Sequence, residues 1–129
     1  MTLPATMQAI EISAPGGPEV LRPTERPVPR PAKGEVLVKV TAAGVNGPDL
    51  MQRKGLYPAP PGASDLPGLE ISGEVAASGE GTTDWPLGAR VCALTNGGGY
   101  AGYCVADQKQ CLPIPGGGAL GHAARLPEK

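Results

Sequence analysis

The chain has no phenylalanine, one tryptophan and one histidine, so any polar aromatic chemistry rests on three tyrosines. Cysteine is scarce as well. Cys92, Cys104 and Cys111 are odd in number, are not closely spaced, and lie in apolar contexts such as RVCAL and GYCVA. A zinc site takes about four ligands, usually in CxxC-like pairs, which these residues and His122 do not supply. Buried free thiols are therefore expected, and metal binding is not. Charge of neither sign dominates: 11 basic and 12 acidic residues give a net charge of −1, without a block of like charges. That balance offers no electrostatic footprint for nucleic acid or an anionic membrane. No apolar run approaches the roughly 20 residues that span a bilayer, and MTLPATMQAIEIS has neither the basic start nor the apolar core of a leader. A cytoplasmic location is expected, and the 129 residues fit one domain.

Glycine and proline are abundant, with 20 and 16 residues, and fall as punctuation between short apolar runs. This distribution points to a turn-rich β domain. Residues 7–13 alternate as a strand, APGGP turns the chain, and residues 20–25 return beside it as a hairpin. PVPRPAKGE is a stiff surface connection, because prolines fix φ and cannot donate ladder hydrogen bonds. Residues 35–43 form the clearest strand, with Val36, Val38 and Val40 on one face, expected inside, and Leu37, Lys39 and Thr41 on the other. Residues 69–77 read as a strand with a bulge at Gly73, followed by a turn at Trp85 and Pro86 packed on the barrel, and strands at 90–94, 100–106 and 110–114. The expected fold class is mainly β, a sheet curled into a partly open barrel because closure hides its edges.

One early helix is expected at residues 48–54. Asn46 or Gly47 caps it, Pro48 and Asp49 suit its first turn, and Gly55 ends it. So short a helix needs tertiary support, assigned here to Leu50 and Met51 packed on the barrel. With the proline loop that follows, it gathers Asn46, Asp49, Gln52, Arg53 and Tyr57 into the most informative segment of the chain. Each also has a plainer reading: Asn46 as a cap, Asp49 as a first-turn carboxylate, Gln52 and Arg53 as a solvated face, and Tyr57 as a ring resting on prolines. Gly97, Gly99 and Gly102 match GxGxxG, as do Gly116, Gly118 and Gly121. The dinucleotide fingerprint requires a strand before it and a helix after it, and neither stretch has that context, so turns are expected.

The succession MQAIEISAPGGPEVL, GEVLVKVTAAGVNGPDLMQRKGLYPAPPGAS, LPGLEISGEVAASGEG, LGARVCALTNGGGYAGYCVA, CLPIP and LPE covers nearly the whole chain. It resembles the N-terminal half of zeta-crystallin-type quinone oxidoreductases of the medium-chain dehydrogenase/reductase superfamily. Zinc alcohol dehydrogenases of that superfamily carry a ligand cysteine where this chain has Asn46 and a ligand histidine where it has Leu69, so the resemblance is to the zinc-free branch. It implies a GroES-like domain, a distorted and partly open β-barrel with a few short helices, over residues 1–129. It also implies a Rossmann domain holding NADPH, expected to be absent from a chain truncated just after Leu126, Pro127 and Glu128. The glycine-rich PGGGALGHAAR departs from the more helical entry usual in relatives.

The implied function is the substrate side of an NADPH-dependent reductase of a quinone or enone, inactive without the cofactor domain and homodimeric at full length. Tyr57 and Asn46 are the implied catalytic residues in contact with the nicotinamide, with Asp49, Gln52 and Arg53 as cleft candidates. Hydride addition to a conjugated carbonyl builds negative charge on oxygen, which a neutral donor stabilises, and a phenol ordinarily keeps its proton at neutral pH. The redox power belongs to the cofactor. Two other readings stay open: a stand-alone GroES-like binding or assembly module, and a fragment of an enoyl thioester reductase.

Overall fold

Alternating valines make strand β3 (Glu35–Ala43), around which the sheet is organised. The computed structural model describes residues 3–82 and 84–114. The expectations placed on Gly116, Gly118, Gly121, His122 and residues 126–128 lie outside the described residues. β3 pairs antiparallel with β4 (Glu70–Ser78) on one side and with β6 (Tyr103–Asp107) on the other. Beyond β4 come β5 (Arg90–Leu94) and β7 (Cys111–Pro113), giving the order β6-β3-β4-β5-β7. The two outer strands do not pair with each other, so the sheet stays open, as expected of a distorted barrel.

The hairpin of β1 (Thr6–Ile12) and β2 (Leu21–Pro27) forms a separate two-stranded sheet. It docks through Ile10 N–H to the Tyr100 carbonyl at 2.8 Å and Gly102 N–H to the Gln8 carbonyl at 3.0 Å. The later strand starts at Tyr103 instead of residue 100, because Ala101 makes only an isolated bridge to Ala9.

Without phenylalanine, the core is built from small and β-branched side chains: Val36, Val38, Ile71, Val75, Val91, Ala93 and Ala106, with Cys104 and Cys111 among them, while Cys92 is buried outside this cluster. Burying each valine contributes at most about 2 kcal/mol. Trp85 packs against this cluster and donates Nε1–H to the Gln108 carbonyl at 2.9 Å.

Two expectations need correction. Leu37 lies on the face opposite the valines yet is fully buried, because the strand is covered on both sides at that point and period two no longer separates inside from outside. Gly73 is not a bulge. It pairs in register with Val40 and Val91, while the register shifts fall at Thr41 on β3 and Ala76 on β4. What Gly73 permits is close backbone approach, since a Cβ there would collide with the Lys39 carbonyl.

Candidate functional site

A groove of about 590 Å³ runs between the proline loop after the helix and the sheet, with Tyr57, Ser64, Leu69, Leu94, Thr95 and Gly97 in its lining. Tyr57 is 42% exposed, and its hydroxyl makes no hydrogen bond among the described residues. Opposite, Thr95 is fixed by its N–H on the Leu69 carbonyl at 2.8 Å and by its hydroxyl on the Gly68 carbonyl at 3.1 Å. Glu35 and Asp107 close another part of the groove. A donor facing firmly held backbone is an arrangement suited to binding a small polar molecule.

Helix α1 (Gly47–Arg53) stands behind this groove with Asn46 as its N-cap. The expected apolar anchoring is overturned: Leu50 and Met51 are 44% and 42% exposed. Polar contacts hold the helix instead. Asp49, 4% exposed, accepts from Asn46 N–H at 3.0 Å, from Gly68 N–H at 3.1 Å and from the Tyr100 hydroxyl at 3.0 Å. Arg53 donates Nε–H to the Gly16 carbonyl at 3.1 Å, and Gln52 donates its side-chain amide to the Asp65 carbonyl at 3.2 Å. Asn46 directs Nδ2 to Glu70 Oε1 at 3.3 Å.

Of the sequence candidates, Tyr57 therefore enters the groove lining, whereas Asn46, Asp49, Gln52 and Arg53 are engaged with the protein behind it. Glu70, 1% exposed, Tyr100 and Asp65 were not among those candidates. A charged residue inside the apolar run LEIS was the available signal for Glu70; Tyr100 and Asp65 gave none, because their partners are distant in sequence.

Burial, with Asp49 beside it, pushes the Tyr100 phenol well above the usual tyrosine range. Burial likewise raises the Cys104 thiol to about 12 and the Cys111 thiol to about 11. The hydrogen bonds from Arg26 hold the Asp65 carboxyl below the usual carboxylate range. These bonds are a bidentate pair at 3.0 Å each, and Arg26 also reaches Glu11 Oε1 at 3.3 Å.

Among the described residues no three His, Cys, Asp or Glu side chains gather to hold a metal ion. The glycine-rich stretch does not fit the pyrophosphate of a dinucleotide. The amides of Gly98, Gly99 and Tyr100 already donate to the carbonyls of Leu66, Gly68 and Pro67 at 2.8, 3.0 and 3.0 Å, and the chain continues into β6 instead of a helix. Its glycines serve close packing: a Cβ on Gly68 would lie 2.7 Å from Gly99 Cα.

The profile of the family described as "Alcohol dehydrogenase GroES-like domain" matches residues 32–128. A quinone oxidoreductase of Lama guanicoe is 40% identical over 112 residues, which are 85% of this chain and 34% of that protein. The crystal structure of human synaptic vesicle membrane protein VAT-1 homolog-like protein superposes with a TM-score of 0.85 at 33% identity, over 92% of this chain and 38% of the other. A mycobacterial protein solved in complex with NADPH gives a TM-score of 0.80 at 36% identity, over 92% and 35%. The chain thus spans about a third of the length of the curated quinone oxidoreductases it matches. No described helix is long and apolar enough to cross a membrane. An open antiparallel sheet, a docked N-terminal hairpin and a profile match over three quarters of its length place this chain in the alcohol dehydrogenase GroES-like domain family of the medium-chain dehydrogenase/reductases.

Proposed function

We propose that the chain is the substrate-side domain of a zinc-independent quinone oxidoreductase that takes hydride from NADPH, with the cofactor held by a Rossmann half beyond this chain. The observation that carries this reading is the contrast between two phenols. Tyr100 directs its hydroxyl to Asp49, whereas Tyr57 lines the groove with its hydroxyl uncommitted among the described residues. When hydride reaches a quinone or enone carbonyl system, charge collects on oxygen, and in this reading the Tyr57 O–H donates to it. The resemblance sets Asn46 where zinc relatives keep a ligand, and an amide bonded to Glu70 at that position supports the zinc-independent reading. In this reading Gln52 and Arg53 support the loop that carries Tyr57, through their bonds to the Asp65 and Gly16 carbonyls. Val45, Leu50, Met51 and Leu56, all at least 42% exposed, are apolar side chains that a cofactor-binding half would cover, and the full-length enzyme is a homodimer in this reading.

The test compares NADPH oxidation with a small quinone by this chain and by a polypeptide extended through a cofactor-binding half. The extended form turns over and the 129-residue chain alone does not. Tyr57→Phe in the extended form lowers turnover by roughly 100-fold, the lower end of the loss on removing one oxyanion donor. Turnover by the short chain alone, or an unchanged rate in Tyr57→Phe, overturns the proposal.

A further inference from the structure

Three donors from separate parts of the chain converge on one buried carboxyl group. Asn46 N–H belongs to the turn between β3 and α1, Gly68 N–H to the segment entering β4, and the Tyr100 hydroxyl to the glycine-rich stretch before β6. Each segment borders the candidate site. Gly68 precedes Leu69 in the groove lining, Tyr100 follows the stretch that begins at the lining residue Gly97, and Asn46 opens the helix that leads into the Tyr57 loop. Between them the two Asp49 oxygens satisfy two backbone donors and the Tyr100 hydroxyl, whose other acceptor, the Gly44 carbonyl, is more distant at 3.5 Å. Backbone bonds join the same segments further from the carboxylate, through Gly99 N–H to the Gly68 carbonyl, Tyr100 N–H to the Pro67 carbonyl and Gly44 N–H to the Glu70 carbonyl at 2.8 Å; Asp49 adds the side-chain tie at which all three meet.

We infer that Asp49 is the positioning residue of the groove, tying the helix that carries Asn46 to the two walls that carry Leu69 and Gly97. It touches no substrate; it acts by holding the groups that border the site. The functional half of this inference rests on the groove being the substrate site, whereas the structural half does not.

The replacement Asp49→Asn separates the two. It keeps the shape but exchanges one acceptor oxygen for an NH2 facing converging donors, so at least one donor loses its partner. In the wild-type chain, ultraviolet titration is expected to show a tyrosine that resists ionisation beyond the usual tyrosine range. In Asp49→Asn that tyrosine moves down, though burial keeps part of its shift, and amide exchange at Asn46 or Gly68 accelerates at least roughly 10-fold. Tyr100→Phe, which keeps both amide bonds to Asp49, leaves those two amides protected and removes the resistant phenol. Should Asp49→Asn fail to fold, the wild-type titration and Tyr100→Phe still decide: a wild-type chain in which no tyrosine resists ionisation, or unprotected Asn46 and Gly68 amides in Tyr100→Phe, overturns the inference.

In the extended polypeptide, Asp49→Asn lowers kcat several-fold while the quinone KM changes little. An unchanged kcat overturns the positioning role even where exchange accelerates. Full turnover in Tyr57→Phe beside a reduced kcat in Asp49→Asn sinks the assignment of Tyr57 and leaves Asp49 standing.

Discussion

Single residues in this domain owe their chemistry to what surrounds them. Cys104 is 2% exposed and its thiol is raised from the ordinary 9.0 to about 12, and Cys111 is raised to about 11. Folded pKa values above unfolded ones mean stability that is complete below pH 9 and lost as pH rises, because the unfolded thiols ionise first. Each thiol contributes a loss of about 1.4 kcal/mol by one pH unit above 9. Urea midpoints measured at pH 7.5 and 10 should fall accordingly, and Cys104→Ala should flatten the decline even though its cavity lowers the midpoint at both. Gly73→Ala tests a different constraint, since its methyl group meets the Lys39 carbonyl and Val38 Cγ1. A loss of about 3 kcal/mol in chemical denaturation is expected, at the upper end for overpacking. Both a bulge and a close approach select glycine, so position 73 was legible as special while its reason, a register set by two other strands, was not.

At the scale of elements, α1 shows what a local reading captures and what it misses. Pro48 inside the first turn and Gly55 at φ +82° past the end mark the helix, and it was read to within one residue at each end. Its anchoring was not legible, because a seven-residue helix has no room for an apolar stripe, and the polar side chains that hold it find partners far along the chain. Leu50→Ala and Met51→Ala should therefore each change stability by no more than about 0.5 kcal/mol, as for surface positions. A loss above about 2 kcal/mol in thermal denaturation would restore the apolar anchoring. The strands fared better: β3 and β5 were read residue for residue, since valine alternation and flanking glycines are local signals. Tyr57 was legible through the scarcity of aromatics. Glu70 and Tyr100 were not, because Asn46 lies 24 residues from one and Asp49 lies 51 from the other.

Across the whole molecule, the N-terminal hairpin is more than an appendage to the sheet. Arg26 on β2 clasps Asp65, and Gly16 at the hairpin turn exchanges backbone and side-chain hydrogen bonds with Arg53. The Asp65 side chain is 72% exposed, so this pair is worth at most about 1 kcal/mol and is weakened by salt. With the Asp65 pKa lowered from 3.8, its contribution is present above that value and lost as pH falls below it. Amide exchange in the hairpin should accelerate modestly at pH 3 or in 1 M salt, and Arg26→Gln should show the accelerated rates already at pH 6. Equal rates in variant and parent would remove the clasp from the account.

Both feet of the Tyr57 loop, Arg53 and Asp65, thus stand on the same hairpin, and Gln52 ties one foot to the other. The residues between them, 56–64, are mostly exposed and contribute nothing to the buried core. The domain therefore carries an exchangeable cassette: a stretch of another length or chemistry can be grafted between fixed ends, changing what the groove accepts while the scaffold beneath is left alone.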